Sequence, residues 1–242
     1  MKRAIVFGAS GDMGARIAQD MAAQGWSLYL HYSRQKKRVV ELAKQLQRQY
    51  NGQDFFVSRL DFLASDQELT AFVEQLFPVN AVIFAQGVTD YHLLTDQSLT
   101  AIGQVMRVNL ETPIKLTKLL EPQLLRYPHA RIIYLGSVYG ANGSALEAAY
   151  SASKAGISRF AQAAGREVAA SGLTLNVIAP GAIDTQMNAQ FSPAVKKEIQ
   201  SEIPAARWGQ SDDISFWVEN LLNEKSDYLT GQSLYVTGGW LE

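Results

Sequence analysis

Tyr150 and Lys154 stand four residues apart in a stretch of helical character, Tyr150-Ser-Ala-Ser-Lys154, and Ser137 ends an apolar run upstream of them. That spacing puts the phenol and the ammonium on one helix face, within interaction distance. A tyrosine is a poor acid–base group near neutral pH, because its unperturbed pKa is about 10. A cation held beside it favours the phenolate and lowers that value, which makes proton transfer feasible. Ser137 would then hold the oxygen that gains or loses the proton. A Tyr-x-x-x-Lys spacing is also common on ordinary helix surfaces, so the elements around it have to supply the rest.

Those elements alternate. Arg3–Phe7 is a short buried-strand candidate broken by Gly8-Ala-Ser-Gly-Asp-Met-Gly14. Ala15–Gln24 reads as a helix with Ile17, Ala18, Met21 and Ala22 inward, ended by Gly25, and Ser27–Tyr32 as a second strand. A strand, a glycine turn, a helix and a strand within about thirty residues make a βαβ unit. The pattern predicts further helices at Lys36–Tyr50, Asp66–Phe77, Leu99–Leu125 (bent at Pro113), around Tyr150, and at Asp212–Leu222. It predicts further strands at Phe55–Val57, Ala81–Phe84, Ile132–Leu135, Leu173–Ile178 and Ser233–Thr237. Seven strands with intervening helices imply an α/β fold, a Rossmann-type doubly wound, mostly parallel sheet covered on both faces. No linker, repeat or charge block interrupts it, so residues 1–242 read as a single domain. The one irregular insertion is Ala182–Trp208, with an amphipathic piece near Pro193–Ile199; such a long connection suits a lid over a binding site.

Composition bounds the function classes. Hydrophobic residues make up 47% and charged residues 19% of the 242 residues, a globular balance. A net charge of −1 gives no pull toward nucleic acid or an anionic membrane. There is no charged-then-apolar leader and no apolar run near 18 residues, so a soluble cytoplasmic protein is expected. The absence of cysteine excludes disulfides and thiolate chemistry, and His31, His92 and His129 are too scattered to ligate a metal.

The glycine turn falls where a dinucleotide-binding fold places its pyrophosphate, after the first strand and at a helix N-terminus. Its glycines are Gly8, Gly11 and Gly14, not a strict G-x-G-x-x-G. The second strand ends in His31-Tyr-Ser-Arg34 and runs into Lys36-Lys-Arg38, with no acid nearby. A carboxylate there would suit the ribose 2′-OH of NAD, whereas Ser33 and Arg34 suit a 2′-phosphate, so NADPH/NADP+ is the expected cofactor.

Taken together, Gly8–Gly14, Asp61-Phe62, Val108-Asn109-Leu110, Ser137, Tyr150–Lys154, Asn176-Val-Ile-Ala-Pro-Gly181 and Thr230-Gly231-Gln232 resemble the short-chain dehydrogenase/reductase family over the whole chain. The resemblance implies a catalytic tetrad of Asn109, Ser137, Tyr150 and Lys154. Tyr150 is then the acid for ketone reduction, Ser137 bonds the carbonyl oxygen, and Lys154 lowers the tyrosine pKa and holds the nicotinamide ribose. Asn109 holds a water that links Lys154 to a proton relay. The cofactor contacts it implies are Gly8, Ser10, Gly11, Asp12, Met13 and Gly14 at the phosphates and Ser33 and Arg34 at the 2′-phosphate. Asp61 and Phe62 would meet the adenine, Ala85 and Gly87 the ribose through their backbone, Pro180, Gly181 and Ile183 the carboxamide, and Thr185 the cofactor's amide or phosphate. Two departures stand out: Asp12 replaces the family's middle glycine, and Phe84-Ala-Gln-Gly87 replaces its Asn-Asn-Ala-Gly.

Within the family the chain resembles the bacterial 3-oxoacyl-acyl-carrier-protein reductases. The two arginines those enzymes use to dock the acidic carrier fall at Pro128 and Ser171, leaving Arg126, Arg131 and Arg166 as substitutes. The opening and the Leu28–Tyr32 strand also resemble reductases of a 5-aminopentanone modification on elongation factor P. The expected partner is therefore a ketone, carrier-bound, protein-bound or small. The alternative of another class, a non-catalytic NADP-binding regulator, is disfavoured because Tyr150 and Lys154 are both present. A third reading, an NAD-reducing alcohol dehydrogenase, is disfavoured by Ser33 and Arg34. The resemblance also implies a homodimer or homotetramer paired through the Leu99–Leu125 and Tyr150–Ser171 helices, with Ala152, Ala155, Ala161, Ala163 and Ala164 suited to close packing.

Overall fold

The computed structural model describes residues 2–189 and 191–240. Its strands are β1 (Arg3–Phe7), β2 (Ser27–Tyr32), β3 (Phe55–Arg59), β4 (Ala81–Phe84), β5 (Arg131–Leu135), β6 (Thr174–Pro180) and β7 (Ser233–Val236). They form one parallel sheet in the order β3-β2-β1-β4-β5-β6-β7. The chain steps outward from β1 to β3 and then returns to lay β4 beside β1. That reversal opens a crevice at the carboxyl ends of β1 and β4, where ligands of such sheets bind. The helices are α1 (Asp12–Ala23), α2 (Lys36–Gln49), α3 (Asp66–Glu74), α4 (Leu99–Met106), α5 (Thr112–Leu124), α6 (Tyr139–Asn142), α7 (Ala148–Val168), α8 (Pro193–Glu202) and α9 (Ser211–Leu222).

Successive strand residues point to opposite faces, so each buried strand serves two cores. Ala4 and Val6 pack on Ile17 and Met21 of α1, Val39 and Leu42 of α2, and Val218 of α9. Ile5 and Phe7 face Leu69 of α3, Leu116 and Leu120 of α5, and Ile157 and Ala161 of α7. Arg131, the first residue of β5, is fully buried. It donates to the carbonyls of Leu221 and Asn223 at the end of α9 and pairs with Asp227. A cation at a helix C-terminus satisfies carbonyls that the helix leaves free, and this use removes Arg131 from any docking surface.

Most elements shift by a few residues at their ends, and two larger differences have a backbone reason. Helix α1 starts at Asp12 rather than Ala15, so Gly14 lies inside it. A Cβ on Gly14 would sit 2.2 Å from the Gly8 carbonyl oxygen; only glycine lets the first helical turn close onto the phosphate turn. The Leu99–Leu125 region is two helices joined by a π-helical turn at Arg107–Glu111. Pro113 has no N–H to give the carbonyl of Asn109, so the irregularity falls one turn before the proline instead of at it. It falls on Asn109.

Candidate active site

The register of β5 on β6 builds the catalytic end. Leu135 pairs with Ile178, and the N–H groups of Gly136 and Val138 donate to the carbonyls of Ile178 and Pro180. Ser137 is thereby fixed just past the sheet edge, with its Oγ accepting from the Tyr139 N–H at 3.2 Å. Helix α7 then runs back past it and delivers Tyr150 to the same cavity wall, with its hydroxyl facing Ser137. One turn on, Lys154 is buried, and its Nζ donates to the Leu135 carbonyl at 2.7 Å and lies 5.6 Å from the Tyr150 ring centroid.

The electrostatics differ from the expectation that Lys154 pulls the phenol down. Burial raises the Tyr150 pKa, and the Ser137 hydroxyl offsets this only in part. Burial also pushes Lys154 down to about 8. The ammonium lies near the ring of Tyr150 and is spent on a strand carbonyl, so desolvation dominates both groups. Tyr150 therefore holds its proton at neutral pH, the form needed to give one away.

Asn109 is also buried, and its amide is fully engaged. Nδ2 donates to the Val88 carbonyl (2.8 Å) and to Ser153 Oγ (3.1 Å), and Oδ1 accepts from the Val88 N–H (2.9 Å). It thus ties the loop after β4 to the helix that carries Lys154. A Cβ on Gly87 would meet Lys154 Nζ at 3.5 Å and Asn109 Oδ1 at 3.8 Å, so that glycine separates the two.

At the nucleotide end, Gly8 has φ +80°, and a Cβ there would fall 2.6 Å from the Gln86 nitrogen. The turn is held by Gly11 N–H on the Gly8 carbonyl (2.9 Å). No side chain caps α1 at Gly11, so its first turn keeps the N–H groups that bind anions. Ser10 and Met13 are half-buried beside it. The carboxylate of Asp12 is taken up by two donors, Arg38 Nη2 and, at 2.6 Å, the Gln186 N–H. Burial pushes Asp12 up, and these bonds outweigh it and leave the group below its usual range. Ser33 and the exposed Arg34 follow β2, and Asp61 follows β3 with Oδ1 on the Leu63 N–H (2.9 Å). Phe62 is buried against Phe7 and His31. Ala85, whose N–H bonds the Phe7 carbonyl, and Gly87 line up after β4. The uncapped helix start, the glycine-rich turn and the basic end of β2 fit a dinucleotide.

Two polar groups here escape a reading of the sequence. His31 looks like any strand residue, yet its Nδ1 accepts from the Gly8 N–H (3.0 Å) and its Nε2 bonds the Leu60 carbonyl (2.9 Å). Burial pushes it down to about 4, so a neutral imidazole braces the turn. Gln86 Oε1 is buried with no hydrogen-bond partner among the described residues, an acceptor aimed into the same region.

Between the two ends lies a cavity of about 400 Å³ bordered by Met13, Ser137, Tyr150, Gly181, Ile183 and Thr185. Pro180 ends β6, and the Gly181 N–H continues the ladder to the Val236 carbonyl. The 182–208 segment closes the front. Its two ends are zipped by bonds between Ala182 and Gly209 and between Asp184 and Gly209. Gln186–Asn188 forms a 3-10 turn and α8 follows; Gln190 lies outside the described residues. Met187, Phe191, Val195 and Ile199 face the cavity, and Phe191 meets Tyr91 edge-on at 5.7 Å. Among the described residues, the charged ones bordering the cavity are both acids, Glu147 and Glu202. Glu147 is buried, accepts from Thr89 Oγ1 at 2.6 Å and is raised by burial.

A parallel sheet with a phosphate turn at its switch point, feeding a cavity walled by a serine and a tyrosine with a lysine buried one helical turn beyond the tyrosine, defines a nucleotide-dependent oxidoreductase. The short chain dehydrogenase model matches residues 2–196, and the chain belongs to that family. It is 35% identical over 241 residues to the uncharacterized oxidoreductase YmfI of Bacillus subtilis, covering 99% of this chain and 98% of that one. It is 32% identical over 241 residues to the 3-oxoacyl-acyl-carrier-protein reductase FabG of Staphylococcus aureus, covering 98% and 97%. Among solved structures it is similar to a metagenomic blue fluorescent protein in complex with NADPH (TM-score 0.91, 28% identity, 100% and 98% covered). It is also similar to a putative 2-deoxy-D-gluconate 3-dehydrogenase of Agrobacterium tumefaciens with bound NADP (TM-score 0.87, 26% identity, 99% and 96% covered). Among the described residues no helix is long and apolar enough to cross a membrane, and no acid–histidine cluster could hold a metal.

Proposed function

We propose that this chain is an NADP(H)-dependent reductase that converts a ketone to a secondary alcohol. The observation that carries the reading is the pair Ser137 and Tyr150 brought together at the cavity wall, backed by buried Lys154. When bound, the nicotinamide supplies the hydride to the carbonyl carbon. Ser137 and Tyr150 would hold the carbonyl oxygen, and Tyr150 would give it a proton as charge develops there. Lys154, close behind the ring, would stabilise the phenolate left after transfer. Asn109 would keep α7 and the loop after β4 in register, and the 182–208 lid would exclude water. Ser33 and Arg34, with no acid at the end of β2, favour the phosphorylated dinucleotide, as do the NADP-bound neighbours.

For the ketone itself, the FabG relatives suggest a 3-oxoacyl group on acyl carrier protein. A second reading, a 5-aminopentanone on elongation factor P, is favoured by the acids at the cavity. A basic amine on the substrate would pair with Glu147, whose burial otherwise leaves a costly carboxylate. Pro128 and Ser171 stand where carrier-docking arginines would be, and of the three substitutes Arg131 is locked inside while Arg126 and Arg166 remain exposed. The deciding experiment is NADPH oxidation measured side by side with an acetoacetyl thioester and with 5-aminopentanonylated elongation factor P. Turnover of the thioester alone selects the acyl-carrier reading; turnover of the protein adduct alone selects the second. Tight NADPH binding without turnover of any ketone would point to a regulator.

We also propose a homodimer or homotetramer paired through α4, α5 and α7. Leu99, Ala152 and Ala163 face outward on these helices, whereas Ala161 and Ala164 are buried against the sheet.

A further inference from the structure

Asp12 is the residue that fits least well with a phosphate site, and the structure gives it an occupation. It opens α1, in the turn where dinucleotide phosphates lie. Its Oδ1 accepts from Nη2 of Arg38, in the first turn of α2, and its Oδ2 accepts from the backbone N–H of Gln186, which begins the 3-10 turn of the lid. Arg38 Nη1 closes the triangle by donating to Gln186 Oε1 at 3.2 Å. Three segments far apart in the chain thus meet on one half-buried carboxylate: the phosphate turn, the start of the helix after β2, and the lid.

We propose that Asp12, Arg38 and Gln186 form a clasp that anchors the lid to the cofactor turn, with Arg38 masking a charge that would otherwise repel the cofactor. Asp12 and Arg38 are positioning residues in this account: Arg38 neutralises Asp12 instead of contacting phosphate itself. A bare carboxylate at the mouth of an anion site acts against the helix start that attracts the anion. An arginine bonded through one nitrogen to one oxygen of that carboxylate offsets the repulsion and leaves the second oxygen for the lid. The lid has few other ties to the body of the protein at this end. The next is the Phe191–Tyr91 edge contact, since the Lys196–Asp184 pair (3.0 Å) joins two parts of the lid itself.

The clasp has two arms, and they are tested separately. The cofactor arm rests on the NADP(H) reading and is measured as the dissociation constant of NADPH by fluorescence titration, with no ketone present. Arg38→Ala should weaken NADPH at least tenfold, and Asp12→Ala added to it should restore affinity to within about threefold of wild type. If the double variant stays as weak as Arg38→Ala, Arg38 contacts the cofactor directly and the masking role is wrong. If no variant or wild type binds NADPH, the cofactor reading fails, and the lid arm still stands or falls alone. The lid arm is read on the ligand-free protein by trypsin cleavage at Lys196 and Lys197 of α8, with cleavage at Lys44 of α2 as the internal control. Asp12→Ala should speed lid cleavage at least fivefold relative to the control. Gln186→Pro, which removes the N–H together with the side chain at a position where a helix start accepts proline, should do the same, whereas Gln186→Ala, which removes the side chain and keeps the N–H, should change it less than twofold. Unchanged lid cleavage in Asp12→Ala would overturn the clasp even if Gln186→Pro failed to fold.

Discussion

Behind the cavity, Asn109 makes three hydrogen bonds within 3.1 Å, Lys154 sits on the Leu135 carbonyl, and nine residues of α7 are buried. In front of it, α8 has no buried residue and the lid leans on edge contacts and the Asp12 hook. The rear is over-determined: moving any one group strands another buried donor or acceptor. The front is held by interactions that each contribute about 1 kcal/mol or less. Proton transfer needs fixed geometry, while substrate entry needs a part that opens, and the two are built from different amounts of burial. On the proposed function, the rear would set the reaction and the front which ketone undergoes it.

Substitutions at the rear should be the most damaging. Lys154→Met, close in shape but without charge, is expected to cut turnover about a thousandfold, checked by NADPH oxidation under saturating ketone. Asn109→Ala leaves the Val88 N–H and carbonyl without their partners. It should lower turnover about a hundredfold and stability by about 1–3 kcal/mol in urea unfolding. A fall in stability with turnover intact would mean that Asn109 braces the fold and nothing more.

His31 supplies a test at the nucleotide end that needs no substrate. Its pKa is near 6.5 unfolded and about 4 folded. Between these values the unfolded chain takes up a proton that the native imidazole refuses. Stability from this group is therefore unaffected above pH 6.5 and falls as pH drops toward 4, by about 3 kcal/mol at the lower limit. His31→Gln should flatten that part of the urea-midpoint profile; an unaltered pH slope would show that the imidazole is not the source.

At the front the effects should be smaller and selective. Glu147→Gln should raise KM about tenfold for an amine-bearing ketone and leave a neutral ketone unchanged. An equal effect on both would place Glu147 in the scaffold. Phe191→Ala, which removes the ring against Tyr91, should raise ketone KM about threefold with kcat nearly constant. A large fall in kcat instead would move the lid into the chemical step and erase the contrast between the two regions.

The sequence made the rear more legible than the front. The βαβ opening, the strand before Ser137 and the helix of Tyr150 follow from hydrophobic period and glycine placement, and β2 falls at Ser27–Tyr32 as expected. The start of α1 was hidden because Gly11 and Gly14 read as turn residues, although the helix needs Gly14 for packing. The π-helical turn at Asn109 was displaced from Pro113 because the proline acts on a carbonyl four residues back. Nothing local announces the clasp, whose partners are 26 and 174 positions from Asp12. Likewise, no pattern marks His31 as an acceptor for Gly8 or Glu147 as a buried acid at the cavity wall. Such pairings are set by topology, which brings β1, β2 and the lid to one crevice.

The central claim is that Tyr150 is the proton donor of a ketone reduction. It is tested most directly by Tyr150→Phe, with kcat for NADPH-dependent reduction and NADPH dissociation constant measured on the same preparation. The account predicts that turnover falls at least a thousandfold while NADPH affinity stays within about threefold. A variant that retained more than about a tenth of wild-type turnover would contradict it.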